Sequence, residues 1–188
     1  MRTGQKSSHM VVGSSDEKRF YTANIGSNNV TMFELAEAPP ARSRITQIPV
    51  GKQPEAIDLS KDGKEVWVGL NSEAAIDVID TAQKKVVKRI DLGARPYRVK
   101  FTPDGKLVFA TLLGKNEIVV IDAKTHKEIR RIPLDFEAWG IIFSKDSKLA
   151  YITAARKDLV LKIDLEKFEI VGQAKTGKVP DGVELVGM

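Results

Sequence analysis

A fixed 42-residue interval, an aspartate turn at the same place in each interval and four short strands per interval together predict an all-β fold. Its form is a β-propeller of four-stranded antiparallel blades. The unit is plainest at 54–95, PEAIDLSKDGKEVWVGLNSEAAIDVIDTAQKKVVKRIDLGAR. Pro96 follows Pro54 by 42 residues, and Ala138 opens the next copy another 42 on. Asp62, Asp104 and Asp146 keep that interval, as do Asp80, Asp122 and Asp164. The expectation is one propeller domain over 1–188, with blades at about 8–53, 54–95, 96–137 and 138–179 and partial blades at 1–7 and 180–188.

Taken in order, Thr3-Gly4-Gln5-Lys6 resembles Val50-Gly51-Lys52-Gln53, the run that closes a repeat, so the chain opens on the end of a blade. The first full repeat has strands HMVVGSS, RFYTAN, NVTMFE and RITQIPV, with Asp16-Glu17 as its turn. Asp16 to Asp62 is 46 residues, and the four extra residues fall in AEAPPARS (36–43), where Pro39-Pro40 excludes a regular strand or helix. In the next three repeats the first strands are AIDLS, RVKFT and GIIFS, and the turns are KDGK, PDGK and KDSK. Glycine takes a positive φ cheaply in such a turn, and Asp caps the reversal through its side chain. Second strands EVWVGL, LVFATL and LAYITA and third strands AAIDVID, NEIVVID and DLVLKID are aliphatic and β-branched, suited to packing between blades. Fourth strands KVVKRIDL, EIRRIPL and EIVGQAKT are charged, as an outermost strand should be to discourage edge pairing. PDGVELVGM (180–188) is expected to be the first strand of a fifth repeat.

With 42% hydrophobic and 29% charged residues the composition is that of a soluble globular domain. The net charge of +5 raises nucleic acid as a partner, but lysines and arginines are spread over every repeat, often beside acids, which reads as a solvated face. Without cysteine there are no disulfides and no thiolate metal sites. No apolar run approaches the roughly 18 residues that span a membrane. MRTGQKSSHM lacks the apolar stretch of a secretory signal.

The patterns YTANIGSNNVTMFE, VGLNSEAAIDVID and ATLLGKNEIVVID, each preceded by an Asp turn, resemble the YVTN β-propeller repeats of bacterial and archaeal proteins over about residues 8–186. The resemblance implies a propeller of about seven blades and a periplasmic or cell-surface location. Related propellers include sugar-lactone hydrolases and haem or quinone enzymes, whose site residues are not found here. Four repeats fall short of seven, so the chain reads as an incomplete seven-bladed propeller. A small closed ring and completion of the ring by self-association stay open.

Two loop sets share one face of a propeller. The first, leading into each inner strand around the central channel, supplies His9, Glu55, Tyr97, Trp139 and Asp181, with Arg98 one residue further on. Positions that agree across repeats are scaffold, whereas these differ; an imidazole, two carboxylates, two aromatics and a guanidinium suit a polar or aromatic small molecule, a peptide or a protein. The second set carries Asn24, Asn28, Asn71, Lys115, Asn116, Arg156 and Lys157, where asparagine serves tight turns. Together the sets offer Lys52, Arg95, Arg98, Lys115, Arg156 and Lys178 to an anion, opposed by Glu55, Asp135, Glu137, Asp158 and Asp181.

Catalysis has little support. His126 lies on the face opposite His9, there is no GxSxG elbow or Gly-rich phosphate loop before a helix, and no paired histidines suggest a metal. No cofactor is expected. Trp67 and Tyr151, on second strands, read as core aromatics. The sequence therefore points to a non-catalytic binding module. The alternatives are a lactonase-like hydrolase with a metal on Glu55, Asp181 and His9, and single-stranded nucleic-acid binding.

Overall fold

Strands that are apolar on both faces cannot be satisfied by a single sheet and must be covered on either side. The computed structural model of the chain describes residues 2–36 and 43–185; the Pro39-Pro40 loop lies outside them. Sixteen strands form four antiparallel meanders in chain order, with no helix among the described residues. Blade 1 holds β1 (Ser8–Gly13), β2 (Arg19–Asn24), β3 (Asn29–Glu34) and β4 (Arg44–Pro49), and blade 2 holds β5 (Pro54–Leu59), β6 (Glu65–Leu70), β7 (Ala75–Asp80) and β8 (Lys85–Asp91). Blade 3 is β9 (Arg95–Phe101), β10 (Leu107–Leu113), β11 (Glu117–Asp122) and β12 (Lys127–Pro133). Blade 4 is β13 (Ala138–Phe143), β14 (Leu149–Ala154), β15 (Leu159–Asp164) and β16 (Glu169–Lys175). No strand is formed at 180–185, where the sequence suggested the start of a fifth repeat.

The strands fall into two units, Met1–Arg95 and Pro96–Met188. Each contains one interface between blades. In the first, one face of blade 1 (Tyr21, Met32 and Ile48, here its trailing face) closes on the leading face of blade 2 (Ile57, Val66 and Val68). In the second, Phe109, Ile118, Val120 and Ile132 of blade 3 close on Ile141, Phe143, Ala150 and Ile152 of blade 4. Phe109 meets Phe143 edge-on with centroids 5.1 Å apart, the arrangement that ring quadrupoles favour. Tyr21, Trp67 and Phe109 share one repeat position, and each is 0% exposed. The Trp67 indole N–H donates to Glu65 Oε2 at 2.9 Å. Tyr151, fourth in that series, is only half-buried. The outer strands β8, β12 and β16 are largely exposed, as their charges require.

The turns between first and second strands are held by a hydroxyl as well as by the aspartate. Ser14, Ser60, Thr102 and Ser144 each donate to the Oδ1 of the aspartate two residues on, at 2.8 Å from Ser60 and 2.6 Å from Thr102 and Ser144. That carboxylate also accepts the N–H of Lys18, Lys64, Lys106 or Lys148, while the hydroxyl oxygen accepts the N–H that opens the second strand. The next residue takes a positive φ in all four: Glu17, Gly63, Gly105 and Ser147. The sequence reading credited the aspartate and the glycine but gave the hydroxyl no role.

Hydrogen bonds from Ser14, Ser60 and Ser144 hold the Asp16, Asp62 and Asp146 carboxyls below their ordinary range. At Asp104 partial burial pushes the carboxyl up but is outweighed by the Thr102 hydroxyl and the Lys106 N–H. Asp80, Asp122 and Asp164 are lowered too, by the Gln83 N–H, the Thr125 hydroxyl and the Lys167 N–H respectively.

Two outcomes follow. Gly63 has φ +71° and a Cβ there would lie 3.3 Å from the Arg19 guanidinium, so Gly63→Ala is expected to cost about 1–2 kcal/mol, and Glu17→Gly to gain about 0.5–1 kcal/mol, in urea unfolding. Seven aspartates titrate lower in the folded chain than the ordinary value of about 3.9, so their contribution is complete above that pH and is lost as pH falls through the lowered folded values. On this account melting temperature should fall as pH drops below about 4, by a modest amount because these carboxylates are exposed. In Asp62→Asn the drop should be shallower.

Candidate ligand-binding site

The inner strands β1, β5 and β13 open with irregular pairing, at His9/Val11, Pro54/Ile57 and Ala138/Ile141. Such bulges break the in–out alternation and re-aim side chains. His9, Glu55 and Trp139 lie at these irregularities, so their direction is set by the bulge rather than by the pleat, which the sequence alone did not reveal. The predicted site residues divide between the units: His9 and Glu55 in the first, Tyr97, Arg98, Trp139 and Asp181 in the second.

In the first unit Glu55, with its side chain 15% exposed, is the centre of a small polar group. Asn71 Nδ2 donates to Glu55 Oε2, Arg95 donates to the same oxygen at 3.3 Å, and His9 Nδ1 stands 3.9 Å from Oε1. Asn28 does what a turn asparagine is expected to do: its φ is +53° and its Oδ1 accepts the Gln53 N–H at 3.0 Å.

The second unit brings the other four candidates together. Tyr97 and Trp139 lie with ring centroids 5.2 Å apart, tilted by 41°. Arg98 places its guanidinium 4.3 Å from the Tyr97 ring centroid, a cation–π distance. It also donates to the Tyr97 carbonyl and to Asp181 Oδ1, both at 3.0 Å. Burial pushes the Tyr97 phenol up, so it stays protonated at neutral pH. The Trp139 indole N–H is shielded from solvent and has no acceptor among the described residues.

Two threonines 42 residues apart, both on second strands, pin this corner. Thr111 Oγ1 accepts the Arg98 N–H at 3.1 Å and donates to the Trp139 carbonyl at 3.2 Å. Thr153 Oγ1 accepts the Gly140 N–H at 2.7 Å and donates to the Asp181 carbonyl at 2.9 Å. The 42-residue register therefore continues to Asp181 although no strand forms there. Gly140 is required by the same contact, because a Cβ on it would overlap the Asp181 carbonyl. None of these three residues stood out in the sequence; the recurrence of threonine at 111 and 153 was the available signal.

Electrostatics narrow what the site can hold. Of the six basic residues proposed to meet an anion, Arg95 holds Glu55, Arg98 holds Asp181 and Arg156 holds Glu137 at 3.3 Å. The two carboxylates suggested for a metal are the ones carrying arginine, which opposes a divalent cation. No group of three or more His, Asp or Glu side chains converges to hold a metal among the described residues.

No family model and no curated protein matches the chain. Solved structures do. Hydrazine synthase of Kuenenia stuttgartiensis matches with a TM-score of 0.80 at 24% identity, over 92% of this chain and 50% of its own. The β-propeller domain of Cps50 (Swd1) from Myceliophteria thermophila gives 0.76 at 14%, over 95% and 57%. A candidate 6-phosphogluconolactonase from Bacteroides uniformis gives 0.77 at 11%, over 92% and 56%. The chain thus has a β-propeller fold and spans about half the length of the structures it matches. No described helix is long and apolar enough to cross a membrane.

Gly140→Ala should force the Asp181 segment off blade 4. The expected result is a loss of about 1–3 kcal/mol, with faster proteolytic cleavage within 176–185 than in the parent chain. Thr153→Ala, which removes the hydroxyl but adds no bulk, should reproduce the cleavage with a smaller loss of stability.

Proposed function

We propose that the chain is a non-catalytic binding segment of a YVTN-type β-propeller, which recognises its ligand at the corner formed by Tyr97, Arg98, Trp139 and Asp181. The observation that carries this reading is the buried Trp139 N–H without an acceptor, beside the Tyr97 ring and the Arg98–Asp181 pair. A buried donor left unpaired costs about 1–3 kcal/mol, which a bound acceptor would recover. The ligand class is a small molecule, or a side chain of a peptide or protein, that offers a planar face to the rings and an oxygen to the indole. A carboxylate or carboxamide would also bond the guanidinium in exchange with Asp181.

The lactonase-like reading ranks second. It rests on a fold shared with a structure 11% identical, and Glu55 and Asp181 already have arginine partners. Single-stranded nucleic acid ranks third, because three of the six basic residues proposed to meet an anion are neutralised locally. A periplasmic or cell-surface location belongs to the same proposal and rests on the repeat resemblance alone.

Tryptophan fluorescence tests the reading, since Trp67 is fully buried and Trp139 is the responsive one of the two. A panel of aromatic carboxylates, aromatic amino acids and short Asn- or Glu-containing peptides should contain compounds giving a saturable change, abolished in Trp139→Phe and at least about tenfold weaker in Arg98→Ala. A flat response across the panel, with hydrolysis of a sugar lactone dependent on a divalent cation, would replace this reading with the hydrolase.

A further inference from the structure

Each unit contains one interface between blades, and the two versions differ in chemistry at four equivalent positions. In the second unit Leu107, Phe109, Leu165 and Phe168 belong to one apolar cluster, with the Phe109 and Phe168 rings 6.5 Å apart. The same places in the first unit hold Arg19, Tyr21, Thr81 and Lys84. Arg19 pairs with Glu34 as Leu107 pairs with Asp122, and Tyr21 with Met32 as Phe109 with Val120. The Thr81 N–H bonds the Lys64 carbonyl as the Leu165 N–H bonds that of Lys148. Lys84 and Phe168 both take a positive φ. Leucine and phenylalanine thus satisfy this corner in one unit, whereas the polar set in the other leaves donors over. Tyr21 is 0% exposed, and its hydroxyl has no hydrogen-bond partner among the described residues. Thr81 and Arg19 lie beside the phenol without bonding to it, and the Thr81 hydroxyl donates to the Gly63 carbonyl at 2.8 Å. Burial pushes the phenol up, so it keeps its proton. The Arg19 guanidinium stands over the Gly63 turn, 3.3 Å from where a Cβ would lie. Its neighbour across the ladder, Glu34, pairs with Lys84 Nζ at 2.7 Å instead. Asp16, which feels the guanidinium, is held by the Ser14 hydroxyl and the Lys18 N–H.

We propose that this corner between blades 1 and 2 is an oxyanion site, at which Arg19, Tyr21 and Lys84 hold a phosphate group. It lies at the end of β2 away from His9, which pairs with Ala23. A guanidinium, a phenol O–H and an ammonium are donors with no acceptor to offer, so the ligand must be rich in acceptors. Arg19 and Lys84 set against Glu34 leave one positive charge, which favours an anion and opposes a metal ion. The donors come from β2 and from the turn after β7, so they approach from different sides. Three oxygens on a tetrahedral phosphorus meet such a set better than the two coplanar oxygens of a carboxylate. Stacked blades leave room here: the corresponding place in the second unit, lined by Leu107, Asp122 and Leu165, is a cavity of about 440 Å³. The phosphate would give the Tyr21 hydroxyl the acceptor that the fold withholds.

Isothermal titration calorimetry at fixed ionic strength, with inorganic phosphate and phenyl phosphate offered at up to about 10 mM, tests the site. Saturable binding of at least one probe is expected, weakened at least about tenfold in Arg19→Leu and also weakened in Tyr21→Phe. Each variant carries the residue that blade 3 has at the same place, so circular dichroism should be unchanged. Without phosphate, Tyr21→Phe should melt no lower than the parent chain, because the hydroxyl it loses had no partner. Lys127→Leu, which removes an exposed charge from the second unit, should bind as the parent does. Binding of inorganic phosphate alone identifies a free anion, and tighter binding of phenyl phosphate an organic monoester; either supports the proposal. No binding of either probe, binding that Arg19→Leu leaves intact, or acetate held as tightly as phosphate overturns it. A clear loss of unliganded stability in Tyr21→Phe overturns it equally, since the hydroxyl would then serve the fold.

Discussion

A four-stranded sheet with Tyr21 on one face and Phe33 on the other cannot hide both from water by itself, and the packing of one blade on the next is the constraint to which the other features answer. Removing a buried Phe or Trp side chain typically costs about 3–5 kcal/mol, whereas one left-handed turn residue costs about 1–2 and an exposed ion pair contributes about 0–1. The position shared by Tyr21, Trp67 and Phe109 therefore outweighs any single turn or salt bridge. It also explains the period. A second-strand aromatic must recur at the same height in every blade, so the turns on either side must recur with it, while the inner strand is free to open on a bulge and vary.

That hierarchy decides what could be read from the sequence. Strand positions follow from alternation between turns, and for the sixteen strands found the predicted and observed boundaries differ by at most three residues. Asp62, Asp104 and Asp146 were legible because aspartate is chemically distinctive. The hydroxyls of Ser60, Thr102 and Ser144 were not, because serine and threonine at a strand end have many ordinary reasons to be there. Thr111, Thr153 and Gly140 escaped notice for a related cause: each acts on a backbone carbonyl contributed from 28 or 41 residues away, and no local pattern reports such a partner. Of the candidate site residues, read from the sequence as loop positions, His9, Glu55, Tyr97, Arg98 and Trp139 lie at the openings of strands, and their pairing was not legible. Glu55 read as a ligand-binding candidate in one dimension and is an arginine acceptor in three.

Arg89 and Asp77 show how far a repeat position can drift when packing does not fix it. Asp77, 1% exposed, receives Arg89 through Nε at 2.8 Å and Nη2 at 3.0 Å and accepts the Gly51 N–H at 2.9 Å. The equivalent place is Thr31 with Gln47 in blade 1, Val119 beside Arg131 in blade 3 and Leu161 beside Gln173 in blade 4. An ion pair, a neutral hydrogen bond and an aliphatic side chain all serve the same fold. The Asp77 pair is thus one solution among several, tolerated because both of its buried carboxylate oxygens are met by donors.

The same reasoning separates charge from function. A net charge of +5 would suggest an anion-binding face if the cations were unopposed, but Arg95, Arg98 and Arg156 each lie on a carboxylate of their own unit. What folding leaves unexplained in the second unit is therefore an unpaired dipole rather than an unpaired charge. The equivalents of Trp139 in the repeat are Glu55 and Tyr97, so no indole is needed there for a blade to form. The Trp139 N–H is shielded from water, and among the described residues it bonds to nothing. A scaffold under no other demand would replace it with Phe, which fills similar space with no donor to strand. Trp139 stands at the opening of β13, where the other repeats carry Glu55 and Tyr97, and the packing of the blade does not require its donor.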